Sequence, residues 1–190
     1  MRDWKTIINK ILSGETDAFR FIIDDHRKLV MHIVFRMVNN PADREDLSQE
    51  VFVKVFQNLK RFKFQSKLST WIGTIAYNHC VNYLEKMKVA LYEDVRPEGE
   101  TIDDFGEQEA SPLKSAETRD IATRLQREIQ RLPIHYRTIL TLYHVDEMSY
   151  KEIGEITGLP EGTVKNYLFR ARKIIGKQLS DRYQQEDLWQ

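Results

Sequence analysis

Apolar residues recur at intervals of three and four along almost the whole chain, and this helical period most strongly limits the folds it can adopt. The period runs from Trp4 to Leu12, and the segment from Asp17 to Val38 is apolar on most sides, as helices buried in a bundle are. Further helical stripes run from Leu47 to Leu59, from Ile72 to Met87 and from Ile121 to Leu132. Asn40 can cap the first of these helices, with Pro41 at its first position. No alternation of apolar and polar residues is long enough to predict a strand, so we expect an all-α protein.

Length and composition limit the protein class. The 190 residues suffice for one medium domain or two small ones. Apolar runs such as Ile33-Val34-Phe35 fall far short of the roughly 18 residues of a membrane helix, and the first residues lead into no secretory signal, so we expect no membrane insertion. Cys80 is the single cysteine, which excludes an internal disulfide and a multi-cysteine metal site. It fits a reducing compartment, so we expect a cytoplasmic protein.

The formal net charge is zero, but the charges are unevenly distributed. Residues 54–88 hold seven cations and one anion, and residues 161–177 hold five cations and one anion. Two basic blocks within helical patterns favour a polyanionic partner, although a lysine-rich face is often merely solvated. Between them, residues 91–110 hold eight anions and one cation together with proline and glycine, which is typical of a flexible linker.

A helix-turn-helix motif is predicted near the carboxyl end. Ser149 and Glu152 have the spacing of a capping box that begins a short helix, and Gly158 suits the left-handed residue that ends it. A turn at Pro160 then leads into a longer helix with one apolar face and a largely basic remainder. Such a second helix can enter a DNA major groove, where residues near its start reach base edges and later cations meet phosphates.

The residues of this motif resemble a known family. The run from Ser149 to Lys165, followed by Arg170-Ala171-Arg172-Lys173, resembles region 4 of bacterial extracytoplasmic-function sigma factors, which belong to the sigma-70 family. Response regulators share a looser version of the pattern. Asn166-Tyr167 stands where the family more usually has Ser-Arg. The residues that the resemblance assigns to −35 DNA are Lys165, Asn166, Tyr167, Phe169, Arg170, Arg172 and Lys173.

The amino-terminal half resembles region 2 of the same family. Asp43 to Phe56 is similar to the helix with which such factors bind the clamp helices of RNA polymerase. Three- and four-residue spacing places several polar residues on one side of this helix, although an ordinary solvated face would look the same. The residues that we assign to polymerase binding are Asp46, Gln49, Glu50, Phe52 and Val53.

The following segment, Phe62 to Asn78, resembles the part of region 2 that binds the melted −10 element. An unstacked base can be held by stacking on an aromatic ring, worth about 1–3 kcal/mol, while lysines attract the backbone. The chain departs from the family at Phe64 and Gln65, where a glycine and an acidic residue are usual, and a tryptophan here also suits a core position. The −10 candidates are Lys63, Gln65, Ser66, Lys67, Trp71, Tyr77 and Asn78.

The resemblance implies two small helical domains and their partners. Residues 1–90 would form the polymerase-binding and melting domain, residues 91–115 a flexible acidic linker, and residues 116–185 the −35 domain. The implied function is that of a sigma factor, which directs core RNA polymerase to promoters and helps to melt them. The implied partners are the β′ clamp helices and β flap of core RNA polymerase, promoter DNA and an anti-sigma factor. No cofactor is expected.

Two other classes of protein remain as alternatives. A helix-turn-helix regulator with a helical sensor half would bind duplex DNA without polymerase. An enzyme would need a catalytic motif, but the five histidines form no His-Glu-x-x-His pattern. The sequence also lacks a phosphate loop and a nucleophile elbow, so we do not expect an enzyme.

Overall fold

The computed structural model describes residues 2–93 and 124–187, and the side chains of residues 2–87 and 124–181. These residues form helices and no strand, which confirms the all-α prediction. Most of the predicted linker, residues 91–115, lies outside the described residues. Short 3-10 turns precede α2 (Thr16–Phe19) and follow α3 (Leu59–Arg61). The helices are α1 (Trp4–Leu12), α2 (Arg20–Met37), α3 (Pro41–Asn58), α4 (Leu68–Glu93), α5 (residues 124–130), α6 (Ile134–His144), α7 (Tyr150–Thr157) and α8 (Glu161–Asp187).

Helices α1 to α4 form a bundle around α2, which packs against α3 and α4. Six of the apolar residues of α2 are buried, and the others are half-buried, as expected of a helix that is apolar on most sides; the buried ones are Ile22, Leu29, Val30, Ile33, Val34 and Met37. Helix α3 begins as expected: the Asn40 side chain accepts a hydrogen bond from the Ala42 amide at 3.1 Å, and Pro41 takes the first helical position. The predicted inner face of α4 is buried at Ile72, Ala76 and Cys80 and half-buried further along, and it reaches solvent at Met87, which is 43% exposed.

Helices α6 to α8 contain the predicted helix-turn-helix. The Ser149 hydroxyl accepts a hydrogen bond from the Glu152 amide, and the Glu152 carboxylate accepts one from the Ser149 amide, which completes the capping box. Gly158 ends α7 with a φ of +72°, the left-handed conformation predicted for it. The apolar face of α8 is buried at Val164 and Leu168 and holds it against α6 and α7.

The two halves of the chain share one apolar core, which the sequence does not reveal. Helix α4 packs against α7, and α2 packs against α6. The helices approach closely at Gly73 of α4, where an added Cβ would lie 2.8 Å from Cδ1 and 3.1 Å from Cγ1 of Ile156. Ile156 is 1% exposed. We call this α4–α7 and α2–α6 boundary the interdomain interface.

Two arginines lie in the interdomain interface and are satisfied by neutral acceptors. Arg36 donates hydrogen bonds to Thr141 Oγ1 at 3.0 Å and to Gln126 Oε1 at 2.7 Å. Arg137 donates to the main-chain oxygen of Arg36 and, at 3.1 Å, to Asn39 Oδ1. Burial and the neighbouring arginines lower the pKa of Arg137 to about 10, because both disfavour the charged form. The hydrogen bonds to neutral acceptors offset part of this cost.

An ion pair joins the −10 candidate Lys67 to the capping box. Lys67 Nζ lies 2.8 Å from Glu152 Oε1, while Glu152 Oε2 accepts hydrogen bonds from the Ser149 amide and hydroxyl at 2.9 and 2.7 Å. Burial raises the pKa of Glu152, but the hydrogen bonds from Lys67 and Ser149 outweigh burial and lower it to about 2. The carboxylate that caps α7 therefore also binds the loop of the other half.

This ion pair predicts how stability depends on pH. Because the folded protein holds the pKa of Glu152 at about 2, below its ordinary 4.5, the charged carboxylate stabilises the fold above pH 4.5. That contribution is lost as the pH falls toward 2. We expect Glu152→Gln to lower the urea midpoint at neutral pH and to reduce the loss of stability on acidification. Glu155→Gln, an exposed position on α7, is the control, and equal pH profiles for Glu152→Gln and the unaltered chain would contradict the prediction.

Candidate nucleic-acid interface

The outer face of α3 presents the polymerase-binding candidates to solvent. Asp46, Gln49 and Glu50 are exposed and Val53 is 54% exposed, whereas the fifth candidate, Phe52, is half-buried against the core. Glu50 Oε2 lies 2.7 Å from Nε2 of His79 on α4. The face therefore combines exposed acids with an apolar side chain, a mixture suited to a partner that is both basic and apolar.

Sequence reasoning missed Phe56 on this face. Phe56 is 42% exposed, three residues after Val53, and its ring meets Phe19 edge-on with centroids 5.1 Å apart. The spacing of three residues from Val53 was the available signal. An exposed phenylalanine beside an exposed valine enlarges the apolar part of the α3 face.

The loop at residues 62–67 is held by an aromatic cluster. The ring of Phe62 lies 4.7 Å from that of Phe64 and 5.2 Å from that of Trp71, centroid to centroid. Phe64 has a φ of +57°, the left-handed region that costs a non-glycine residue about 1–2 kcal/mol. The glycine usual in the family at this position would avoid that cost, and the Phe62–Phe64 contact offsets it here.

The loop leaves most of its −10 candidates in solvent. Lys63, Gln65 and Lys67 are exposed and Ser66 is half-buried. Lys67, although exposed, is already paired with Glu152 of α7.

A groove of about 370 Å³ lies between α3 and α4, beside this loop. Two predicted −10 residues line it, the half-buried Trp71 and the exposed Asn78. Their neighbours in the groove were not predicted, because they converge only when α3 packs on α4. These additional lining residues include Lys54, Arg61 and His79.

Tyr77 lies elsewhere, in the interdomain interface. It is 5% exposed, and its hydroxyl is 3.1 Å from Nδ1 of His135 in the carboxyl-terminal half. Burial raises the pKa of this hydroxyl. The structure therefore does not bring Tyr77 to the groove that contains Trp71 and Asn78.

Helix α8 presents six of its seven −35 candidates to solvent. Phe169 is the most exposed large apolar side chain among them, at 66%. The seventh, Tyr167, is half-buried, and its ring meets that of Tyr136 edge-on at 5.0 Å. The other exposed candidates are Lys165, Asn166, Arg170, Arg172 and Lys173.

Within the described residues, no cluster of three or more histidine, cysteine or acidic side chains could hold a metal ion. Cys80 is buried, and burial raises the pKa of its thiol to about 12. Among the described helices, none combines the length and the apolar character of a membrane span.

Comparison with protein families matches both halves of the chain. The family described as Sigma-70 region 2 matches residues 22–88, which include α3, the loop and most of α4. The family described as Sigma-70, region 4 matches residues 122–175, which include the helix-turn-helix.

Three relatives match nearly the whole chain. The ECF RNA polymerase sigma factor SigW of Bacillus subtilis is 33% identical over 181 residues, which cover 93% of this chain and 97% of the relative. The RNA polymerase sigma-H factor of Pseudomonas aeruginosa is 28% identical, covering 91% of this chain and 92% of its own. The ECF RNA polymerase sigma-E factor of Escherichia coli K12 is also 28% identical, covering 90% and 91%.

Two solved structures share the fold. The sigma factor RpoE of Bartonella quintana, in complex with the anti-sigma factor NepR, has a TM-score of 0.69 and 20% identity, covering 85% of this chain and 96% of its own. CnrH, in complex with the cytosolic domain of CnrY, has a TM-score of 0.64 and 19% identity, covering 93% and 96%. With two matched sigma regions in order and a 33% identical relative over nearly its full length, this chain belongs to the extracytoplasmic-function (ECF) sigma factors of bacterial RNA polymerase.

Proposed function

We propose that this sigma factor binds core RNA polymerase through the outer face of α3, holds the melted −10 strand at the 62–67 loop and the α3–α4 groove, and reads the −35 element with α8. The observation that carries the proposal is the exposure of these three surfaces on helices whose opposite faces form the core. In this proposal polymerase supplies the catalysis and its metal, and this chain catalyses no bond formation itself. An anti-sigma partner is proposed by analogy with the two structural relatives.

The α3–α4 groove has the chemistry needed to hold an extruded base. Lys54 and Arg61 attract the phosphate backbone, the Trp71 ring offers a stacking surface, and Asn78 can donate and accept hydrogen bonds at a base edge. Stacking of about 1–3 kcal/mol per base offsets the few kcal/mol that unpairing costs. Lys63 extends the same cationic surface along the loop.

Helix α8 combines base-reading and phosphate-binding groups. Asn166 can pair with adenine through two hydrogen bonds, and the exposed Phe169 can contact a thymine methyl group. Arg170, Arg172 and Lys173 supply the phosphate contacts that fix the register of the helix on the duplex.

The test of this function is run-off transcription with purified bacterial core polymerase on a library of genomic fragments. We expect specific transcripts only when the chain and the core enzyme are both present. Glu50→Lys should reduce core binding in a pull-down and reduce transcription with it, because it reverses a charge on the exposed α3 face. Asp24→Lys, which reverses an exposed acid on α2 away from the α3 face, is the control. Specific duplex binding without polymerase, and no transcripts with it, would favour the helix-turn-helix regulator instead.

With its two halves packed together at the interdomain interface, which we call the closed form, the chain cannot engage both promoter elements at once. Elements centred at −10 and −35 lie about 25 base pairs apart, or roughly 85 Å at 3.4 Å per pair. A compact chain of this length has a radius of gyration of only about 16 Å. The 30 residues from 94 to 123 can span at most about 100 Å, so the halves must separate at the interdomain interface to reach both elements.

A reversible lock across the interface tests this requirement. Because an added Cβ at Gly73 lies 3.1 Å from Cγ1 of Ile156, Gly73→Cys with Ile156→Cys places two thiols within disulfide range. We expect the oxidised double variant to lose run-off activity at least tenfold and the reduced one to regain it. The unaltered chain, whose Cys80 is buried, should be insensitive to oxidant. Full activity of the locked form, or failure of the disulfide to form, would contradict the prediction.

A further inference from the structure

Two tyrosines stack against each other beside α8. The rings of Tyr143, near the end of α6, and Tyr150, at the start of α7, lie 5.1 Å apart, centroid to centroid, and are nearly parallel at 9°. The neighbouring Tyr143 side chain raises the pKa of Tyr150. The pair is half-buried and joins the helix before the turn to the helix after it.

A cation from α8 lies over each ring. Lys165 Nζ lies 5.3 Å from the centroid of Tyr150, and Arg172 Cζ lies 5.3 Å from the centroid of Tyr143. The two cations are seven residues apart, which places them on one side of α8 and about 10 Å apart along its axis. We call this series, Lys165–Tyr150–Tyr143–Arg172, the cation–aromatic row.

His144 holds the Arg172 end of the row by its edge. Arg172 donates from Nε and Nη2 to Nε2 of His144 at 3.2 and 3.0 Å. An imidazole nitrogen that accepts these bonds is unprotonated, and burial together with Arg172 lowers the pKa of His144 accordingly. The remaining Nη1 of Arg172 makes no hydrogen bond to the residues that the structure describes, and it can donate to a phosphate.

We propose that Tyr143, Tyr150 and His144 are positioning residues for promoter binding, which hold Lys165 and Arg172 at a fixed spacing on α8 before DNA arrives. This inference rests on the proposed role of α8 at the −35 element. Long cationic side chains lose conformational freedom when they bind, so holding them in advance increases affinity without a new contact to DNA. The three positioning residues touch the cations and need not touch the DNA.

The surroundings of Lys165 and Arg172 indicate that the rings present the two cations to DNA rather than withhold them from it. Lys165 and Arg172 both remain exposed although each lies over a ring. Neither forms an ion pair with a carboxylate among the side chains that the structure describes, so a phosphate displaces no anion on arrival. A cation over an aromatic face keeps its N–H donors available at the rim of the ring.

The test compares ring and non-ring variants in holoenzyme, on a duplex that the wild-type holoenzyme selects from a random-sequence library. We expect Tyr143→Leu and Tyr150→Leu each to weaken binding by about two- to fivefold, the size of an exposed cation–π contact. The corresponding Phe variants keep the ring and should bind nearly as the unaltered chain does. The slope of affinity against salt should stay unchanged in the Leu variants, whereas Arg172→Gln should flatten it by roughly one unit.

A double-mutant cycle separates positioning from a general effect on folding. If Tyr143 acts through Arg172, Tyr143→Leu should cost nothing further in an Arg172→Gln background, and Tyr150→Leu should cost nothing further in a Lys165→Gln background. Val145→Ala, at a neighbouring residue that is 54% exposed and outside the row, is the control and should leave affinity unchanged.

The inference is overturned if a Leu variant loses as much affinity in the Arg172→Gln or Lys165→Gln background as it does in the unaltered chain. It is also overturned if the Phe variants bind as weakly as the Leu variants. Tighter binding by the Leu variants would overturn it too, because the rings would then withhold the cations from DNA. A wild-type holoenzyme that selects no duplex overturns the proposed function and this inference with it. Normal wild-type binding with unaffected variants overturns the inference alone.

Discussion

The packing of Ile156 against Gly73 is the contact on which the arrangement of this molecule depends. A side chain at residue 73 would overlap the tip of Ile156, so glycine is what lets α4 and α7 approach closely. The same approach brings Lys67 to Glu152 and Tyr77 to His135. Two residues assigned to the −10 strand are therefore engaged by the −35 half in the closed form. If separation of the halves strengthens the binding of a partner to those residues, then by linkage that binding favours separation by the same free energy.

The sequence was sufficient wherever a feature is set by neighbours within one helical turn. The Ser149–Glu152 capping box, the Asn40 cap before Pro41 and the left-handed Gly158 all depend on short-range geometry, and all three predictions are confirmed. Helical period likewise predicted the exposure of six of the seven −35 candidates on α8, all except the half-buried Tyr167. These features need no knowledge of the rest of the chain, because their hydrogen bonds close within four residues.

The rest of the site depends on contacts between distant segments, which no local pattern encodes. Lys54 and Arg61 join Trp71 in one groove only because α3 packs on α4. The sharing of one core by the two halves is missed for the same reason, since an apolar stripe predicts burial without naming its partner. The burial of Arg36 has the same origin: charged residues are usually exposed, and the acceptors that satisfy this one come from helices about 100 residues away.

The polar part of the interdomain interface also explains how a closed chain can open. Arg36 and Arg137 lie against each other, and Arg44 adds a third positive charge, while Asp146 is the carboxylate that favours the charged form of Arg36. Neutral acceptors satisfy the guanidinium groups but do not cancel their charge, so the desolvation of like charges offsets part of the apolar packing. Separation returns these charges to water. An interface of this composition is weaker than an apolar interface of the same area, which fits the proposal that the halves part to reach both promoter elements.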